Sequence, residues 1–382
     1  SIREFGLVDP IIARAEDKQV IGGHQRLLAA RRLGLKEVPA ILVDLTAEQA
    51  QLLNLALNRI SGTWDQELLA RLLADLKDLP DVDLTLSGFS VDELQKHLKS
   101  LELREKRERL ETFDVEQALE AARAAPVARR GDLWRLGEHR LLVGDATDSG
   151  DVGRLFGDKL ASLLATDPPY LVDYSGGNHP ASKGNKGKPG KDKNWDEYVD
   201  PEASVEFFAK FLALALEHLK PNSAIYQWHA HRRQMLVEQA WTQCGLLVHQ
   251  QIIWLKARGV LTHSHYLWAH EPAFYGWREG HPPNKKPPSN QRTVWQLDQQ
   301  GSSMNIHPTQ KPLELFLRPI EYHTEYGDIV YEPFLGSGTQ LIAAEKLSRI
   351  CYAMEREPQY MDVAIKRWES FTGETAVKEE GE

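Results

Sequence analysis

From Asp132 onward, short apolar runs that stop at polar corners alternate with amphipathic stretches. The runs are LASLLATDPPY, SAIYQWH, LLVHQQIIWLK, DIVYEPF and RICYAME. Between the first two, an Asp200-Pro201 start leads into VEFFAKFLALALEHLK, with Val205, Phe208, Leu212 and Leu216 at helical spacing. A continuous apolar run of strand length fits a strand covered on both faces. Strands alternating with helices predict a doubly wound, mostly parallel α/β sheet. DLWRL-GEH-RLLVGD, just ahead of the first run, reads as a hairpin.

The N-terminal third is patterned differently. Residues 1–60 alternate short β-prone pieces with one helix, expected from His24 to Leu33 with Leu27, Leu28 and Ala30 facing inward and Gly34 stopping it. Pro39 opens a run, AILVDL, that reads as a buried strand. EQAQLLNLALNRI and DQELLARLLADLKDL carry the three- and four-residue spacing of helices. The charged stretch from Asp92 to Ala125 has few bulky apolar residues after Leu110 and reads as an exposed connecting helix. The expected organisation is a smaller α+β domain over 1–98, a charged helical linker over 99–125 and a large α/β domain over 126–382.

Composition narrows the class. The 382 residues contain no apolar run long enough to span a bilayer, so no membrane association is expected. The opening SIREFGLVDP lacks a basic stretch followed by an apolar core, so no signal peptide is expected. Two cysteines, Cys244 and Cys351, exclude a disulfide framework and a Cys-rich zinc site, and point to a reducing cytoplasm. The net charge of -9 disfavours indiscriminate polyanion binding, but two basic stretches stand out. Residues 181–193 hold five Lys against one Asp; residues 256–292 hold Lys256, Arg258, Arg278, Lys285, Lys286 and Arg292 against Glu271 and Glu279. The Gly/Lys-rich 183–193 also reads as a mobile loop.

Two motifs carry chemistry. Asp167-Pro168-Pro169-Tyr170 closes an apolar strand, where doubly wound sheets place their active sites. Two prolines offer no N–H, so the surrounding carbonyls and the Asp167 carboxylate make a cluster of acceptors. Such a cluster suits an exocyclic amine, and Tyr170 offers a face for a base to stack on. The same tetrapeptide is also good turn chemistry.

The second motif, Glu332-Pro333-Phe334-Leu335-Gly336-Ser337-Gly338-Thr339, joins a strand to a helix through a glycine corner. The next strand ends at Glu355, 17 residues beyond Gly338, where an acid can accept ribose hydroxyls. Leu341 stands where a dinucleotide fingerprint wants a third glycine, and Glu332 would repel a pyrophosphate. A nucleoside bearing a positive group, such as S-adenosylmethionine, fits both points; a nicotinamide oxidoreductase does not.

With these motifs in place, residues 132–373 resemble the DNA amino-methyltransferases of the permuted β class, in which DPPY precedes FxGxG. The resemblance runs through RLLVGDATD, TDPPY, AIYQWHAHR, IIWLKARGV, HEPAFYGW, HPTQKP, EPFLGSGT, AMEREPQY and KRWESFTG. It implies the fold of S-adenosylmethionine-dependent methyltransferases and a role for each matching position. Asp167, Pro168, Pro169 and Tyr170 would hold the target base and its amine. Glu332, Phe334, Gly336, Gly338 and Thr339 would line the cofactor pocket, Glu355 would take the ribose, and Asp145 would lie near the adenine. Lys311, in HPTQKP, would approach the methionine carboxylate. Glu332 stands where Asp is usual and Ala353 where Gly is common, which leaves every required group present.

The reaction expected is base flipping in double-stranded DNA followed by direct in-line transfer to an amine. Neither cysteine has the Pro-Cys setting that attack at cytosine C5 needs. On the residues alone adenine N6 and cytosine N4 both stay open; in the family, Asp opening the tetrapeptide accompanies adenine. Target recognition is expected between about 257 and 305, and the residues assigned to DNA are Lys256, Arg258, His263, His265, Lys285, Lys286 and Arg292. His263-x-His265 and His229-x-His231 lack the companions of a metal site, so no metal is expected. A homodimer is compatible with the sequence.

The N-terminal residues resemble a ParB-like, sulfiredoxin-type domain through VIGGHQRLLAARRLG, EVPAILVDL and LALNRI, with a helical tail to about 98. In that family a Gly-x-x-Arg element at a helix start binds phosphate; here it is Gly23, His24, Gln25 and Arg26. A DNA- or nucleotide-binding accessory role is the expectation. The rival for the whole chain is a ParB-like DNA- or nucleotide-binding protein whose second domain is inactive.

Overall fold

The structure is a computed structural model and describes residues 2–59, 66–77, 79, 82–171, 200–260, 265–297 and 311–379. The chain divides into two compact units, Ser1–Arg107 and Glu108–Glu382.

In the first unit, α1 (Ile2–Phe5) precedes β1 (Ile11–Arg14), β2 (Val20–Gly22), α2 (His24–Arg32), β3 (Ala40–Val43) and the helices α3 (Ala47–Arg59), α4 (Gln66–Lys77) and α5 (Val91–Glu108). β1 lies between β2, antiparallel, and β3, parallel. Gly23 opens α2 from the left-handed region at φ 92, and Gly34 leaves it at φ 77. Two expectations change here. β3, an edge strand among the described residues, is not buried: Ile41 and Leu42, on opposite faces, are each 50% exposed, so neither face of this strand is covered there. Leu28 is likewise exposed, and Ala30 is the buried residue of α2. The apolar core of this unit is built by the helices, from Leu52, Leu55, Leu69, Leu73, Leu76, Phe89 and Leu94.

The second unit begins before the hairpin. α6 (Val115–Ala124) is capped by Asp114, which accepts from the Glu116 and Gln117 N–H groups at 3.0 Å. Leu119 and Ala122 of α6 pack on Val363 of α12 (Pro358–Thr372), and Asp362 accepts from the Val127 and Ala128 N–H groups. Residues 108–125 are therefore joined to the large sheet unit by a small apolar contact that a charge-rich stretch conceals.

That unit holds β4 (Leu133–Leu136), β5 (His139–Val143), α7 (Ser149–Phe156), β6 (Ala161–Thr166), α8 (Pro201–Glu217), β7 (Leu219–Trp228), α9 (Gln234–Gln243), β8 (Leu246–Val260) and β9 (Trp268–Arg278). β10 (Val294–Gln296), α10 (Glu314–His323), β11 (Ile329–Glu332), α11 (Thr339–Lys346), β12 (Ile350–Glu355), α12 and β13 (Val377–Glu379) follow. Among the described residues the strands form one sheet in the order β10-β8-β9-β7-β6-β11-β12-β5-β4-β13. The run β7-β6-β11-β12-β5 is parallel throughout. Successive strand residues enter opposite cores: Leu141, Val143, Leu163 and Ala165 pack with α10, α11 and α12, while Leu142 and Leu164 pack with α7, α8 and α9. Two covered faces are what make these strands apolar at every position. No helix among the described residues is long and apolar enough to cross a membrane.

Candidate active site

Because β5, β12, β11, β6 and β7 run the same way, their carboxyl ends share one edge of the sheet. Asp145, Glu355, Glu332 and Asp167 lie at or just beyond the ends of the first four. This is where open parallel sheets bind ligands.

At the glycine corner, Glu332 is 2% exposed and its Oε1 accepts from the Thr166 hydroxyl at 2.6 Å and the Phe334 N–H at 3.0 Å. Burial pushes its carboxyl well above the usual range. Glu355 accepts from the Gly336 N–H at 2.8 Å with one oxygen and from the Glu357 N–H at 2.9 Å with the other. Burial pushes this carboxyl up as well, against those bonds. Gly338 starts α11 from φ 84, and a Cβ there would lie 3.0 Å from the Ala364 Cβ of α12. Thr339 is buried, and its hydroxyl accepts from the Arg367 guanidinium at 3.2 Å; Arg367 also donates to the Ser337 carbonyl at 2.9 Å. The Phe334 ring stands edge-on to Phe211, with centroids 5.0 Å apart. At the β5 end, Asp145 accepts from the Thr147 N–H and hydroxyl at 2.9 and 2.8 Å. Burial works to raise its carboxyl, and these bonds outweigh it and hold it below the usual range.

The DPPY corner follows β6 directly. After Tyr170 the chain turns sharply at Leu171, a non-glycine residue at φ 54, whose carbonyl accepts from buried Arg233 at 2.5 Å. Lys311 Nζ sits 2.8 Å from Asp167 Oδ2 and 2.9 Å from Glu271 Oε2, and donates to the Tyr170 hydroxyl at 3.0 Å. The Tyr170 hydroxyl in turn donates to Glu271 Oε2 at 3.3 Å, and Lys256 Nζ lies 2.5 Å from Glu271 Oε1. Burial opposes charge on Lys311, but the two carboxylates overcome it and raise its pKa. Burial would raise Glu271; Lys311 and then Lys256 bring it down to about 2. The corner is therefore a network of fixed charges. Asp167 Oδ1 is buried and has no hydrogen-bond partner among the described residues.

Asp167, Tyr170, Lys311 and Lys256 thus meet, although the sequence suggested three separate duties for them. Glu271 was missed as a site residue. Its signal was an acid at the head of the otherwise apolar run EPAFYGW. Lys311 lies on Asp167 and Glu271, since a buried ammonium is drawn to nearby carboxylates. Lys256 is similarly engaged by Glu271. Lys285 Nζ donates to the Thr324 carbonyl at 2.7 Å and pairs with Glu325 at 3.0 Å, just before the start of β11 and so at the amino edge of the sheet. His265, Lys286 and Arg292 are exposed. His263, the Arg258 side chain and the 183–193 loop lie outside the described residues. In the first unit, Gly23 takes its left-handed turn, His24 is exposed and Arg26 pairs with Asp9 at 2.6 Å.

Comparison with known proteins identifies the families this chain matches. A family model described as DNA methylase, of the N6/N4 type, matches residues 161–366; a ParB N-terminal domain model matches 1–59, and a ParB-methyltransferase HTH domain model matches 67–130. The Type II methyltransferase M2.MboI of Moraxella bovis is 28% identical over 237 residues, covering 57% of this chain and 84% of the relative. The Type II methyltransferase M2.DpnII of Streptococcus pneumoniae is 27% identical over 223 residues, covering 54% and 82%. Among solved structures, the cytosine-N4-specific PvuII DNA methyltransferase is 17% identical over 65% of this chain and 94% of its own, with a TM-score of 0.49. The chain belongs to the N6/N4 DNA methylase family, with a ParB N-terminal domain ahead of the methylase domain.

Proposed function

We propose that the protein transfers a methyl group from S-adenosylmethionine to the N6 amine of adenine in double-stranded DNA. The observation that carries this reading is Asp167 Oδ1, a buried acceptor without a partner among the described residues, at the end of β6 and beside two imino-acid residues that have no N–H to offer it. A buried acceptor left unpaired costs free energy that an incoming N–H group recovers.

The residues present fit the methyl donor. Glu332 is a buried carboxyl with a raised proton affinity, and a ligand ammonium would restore its charge. Glu355 and Gly336 offer an acid and a tight backbone corner for a ribose, with Phe334 beside them. S-adenosylmethionine, when bound, supplies a methyl carbon already activated by its sulfonium. The protein's task is then to extract the base, at a cost of a few kcal/mol, and align its amine. Asp167 and the carbonyls of the proline corner accept the amine hydrogens, and Tyr170 stacks on the ring. Adenine rather than cytosine is supported by Asp at the head of the tetrapeptide. Target recognition falls to about 257–305, where His265, Lys286 and Arg292 are exposed. The ParB-like unit serves as a DNA- or nucleotide-binding accessory.

Incubation with isotopically labelled S-adenosylmethionine and DNA, followed by nucleoside mass spectrometry, tests the reading. N6-methyladenine is expected. N4-methylcytosine overturns the choice of base, and the absence of any methylated nucleoside overturns the activity. Asp167→Ala is expected to abolish transfer while S-adenosylmethionine still binds.

A further inference from the structure

We propose that Glu271 and Lys311 are positioning residues that hold Asp167 by one carboxylate oxygen and so keep the other open for the target amine. The inference rests on the methyltransferase reading above and adds to it a named device for arming the acceptor.

The argument is one of donor counting. A lysine ammonium has three N–H donors and no acceptor. Three acceptors surround Lys311 Nζ: Asp167 Oδ2 at 2.8 Å, Glu271 Oε2 at 2.9 Å and the Tyr170 hydroxyl at 3.0 Å. Every donor is spent, so none is left to turn onto Asp167 Oδ1, which is buried without a partner among the described residues. The side chain of Lys311 is 10% exposed, so water has little access to compete for those donors.

Glu271 is the second anchor. It comes from β9, and β7 stands between β9 and β6, so Lys311 bridges two strands that do not touch each other. Glu271 is fixed in turn by Lys256, which takes its other oxygen and lies over the Trp254 ring at 5.2 Å. Two carboxylates and two ammonium groups balance in charge, as burial requires. Without Glu271, a donor on Lys311 is freed, and the other oxygen of the carboxylate it already holds, Asp167 Oδ1, is unsatisfied among the described residues. Lys311 would then grip both oxygens and compete with the amine. A group that acts in this way changes the reactive arrangement more than it changes the binding of either substrate, and small misplacements in such sites cost up to about 100-fold.

The test is steady-state kinetics of the full chain on methylatable DNA, with calorimetric titration of S-adenosylmethionine. Glu271→Leu is expected to lower kcat by about 10- to 100-fold, with KM for DNA and Kd for S-adenosylmethionine within about twofold of the unaltered protein. Glu271→Gln keeps an acceptor but not the charge, and is expected to fall between the two. It carries the same test if the leucine variant does not fold. Lys256→Met, which releases the outer oxygen of Glu271, is expected to give a smaller loss of kcat. Unchanged kcat in both Glu271 variants overturns the clamp. A loss confined to S-adenosylmethionine affinity also overturns it, and assigns the network to cofactor binding. Absence of transfer by the unaltered protein fails the methyltransferase reading itself, and the clamp falls with it.

Discussion

Thr166 and Glu332 end adjacent parallel strands, and the threonine hydroxyl donates to the glutamate Oε1 at 2.6 Å inside the protein. This bond ties the strand that leads into DPPY to the strand that leads into the glycine corner. It also supplies one of the two donors that Glu332 has at Oε1, the Phe334 N–H being the other. Thr166→Val preserves shape and removes the donor. We expect it to cost about 1–2 kcal/mol of stability by leaving a buried carboxyl short of a partner, read by urea denaturation, together with weaker S-adenosylmethionine binding. Identical denaturation midpoints would argue that the bond contributes nothing.

Gly338 combines a backbone requirement with a packing one. Its φ of 84 suits glycine, and an added Cβ would meet Ala364 at 3.0 Å. Gly338→Ala should therefore destabilise by about 1–3 kcal/mol and loosen the glycine corner, since α12 must move to admit a methyl group. Calorimetric melting measures the first effect and titration with S-adenosylmethionine the second. A variant that melts and binds like the parent would remove the strain argument.

The segment before α6 reaches the same corner through charge. Glu111 pairs with Arg367 of α12 through both Nε and Nη2, and Arg367, 2% exposed, holds the Ser337 carbonyl at 2.9 Å. Glu111→Gln leaves a buried guanidinium short of its counter-charge, a change that costs about 3–5 kcal/mol in well-buried pairs. The partial exposure of Glu111, at 19%, puts the expectation at the low end. A lowered melting temperature and a cofactor affinity reduced in parallel are expected. Unaltered melting would show that the pair is solvated in solution.

Acid should weaken the second unit through two buried histidines. Burial pushes the His229 imidazole down to about 4, and the same cause brings His323 to about 4. Both pKa values lie below the ordinary 6.5, so between pH 6.5 and 4 the unfolded chain binds more protons than the folded one. Their contribution is complete above pH 6.5 and is lost as pH falls to 4, up to about 3 kcal/mol for each. The melting temperature should drop between pH 7 and 5, and His323→Asn should flatten that slope. Equal slopes in parent and variant would reject the assignment to His323.

Much of the site was legible because its motifs are local. An apolar strand that stops at Asp-Pro-Pro-Tyr, and a strand that turns through Gly336 and Gly338 into a helix, are each encoded by about a dozen contiguous residues. Parallel pairing then brings their carboxyl ends to one edge whatever else the chain does. Strand periodicity likewise announced the doubly wound sheet, since coverage of both faces demands apolar residues at every position.

Sequence order, by contrast, says little about who faces whom across a sheet whose strands run β9-β7-β6-β11-β12-β5. Packing across the sheet brings Glu271 of β9 to Lys256 of β8 and to Lys311, and gives a lysine expected at the DNA a carboxylate partner as well. It also sends Lys285 to the amino edge beside Thr324 and draws Leu119 of a charged helix onto Val363. Local propensity and spacing determined the elements and the chemistry each could carry. The partner of every buried charge was decided by the tertiary structure, because an ammonium is attracted alike to a phosphate and a carboxylate and only the folded geometry sets which lies within 3 Å.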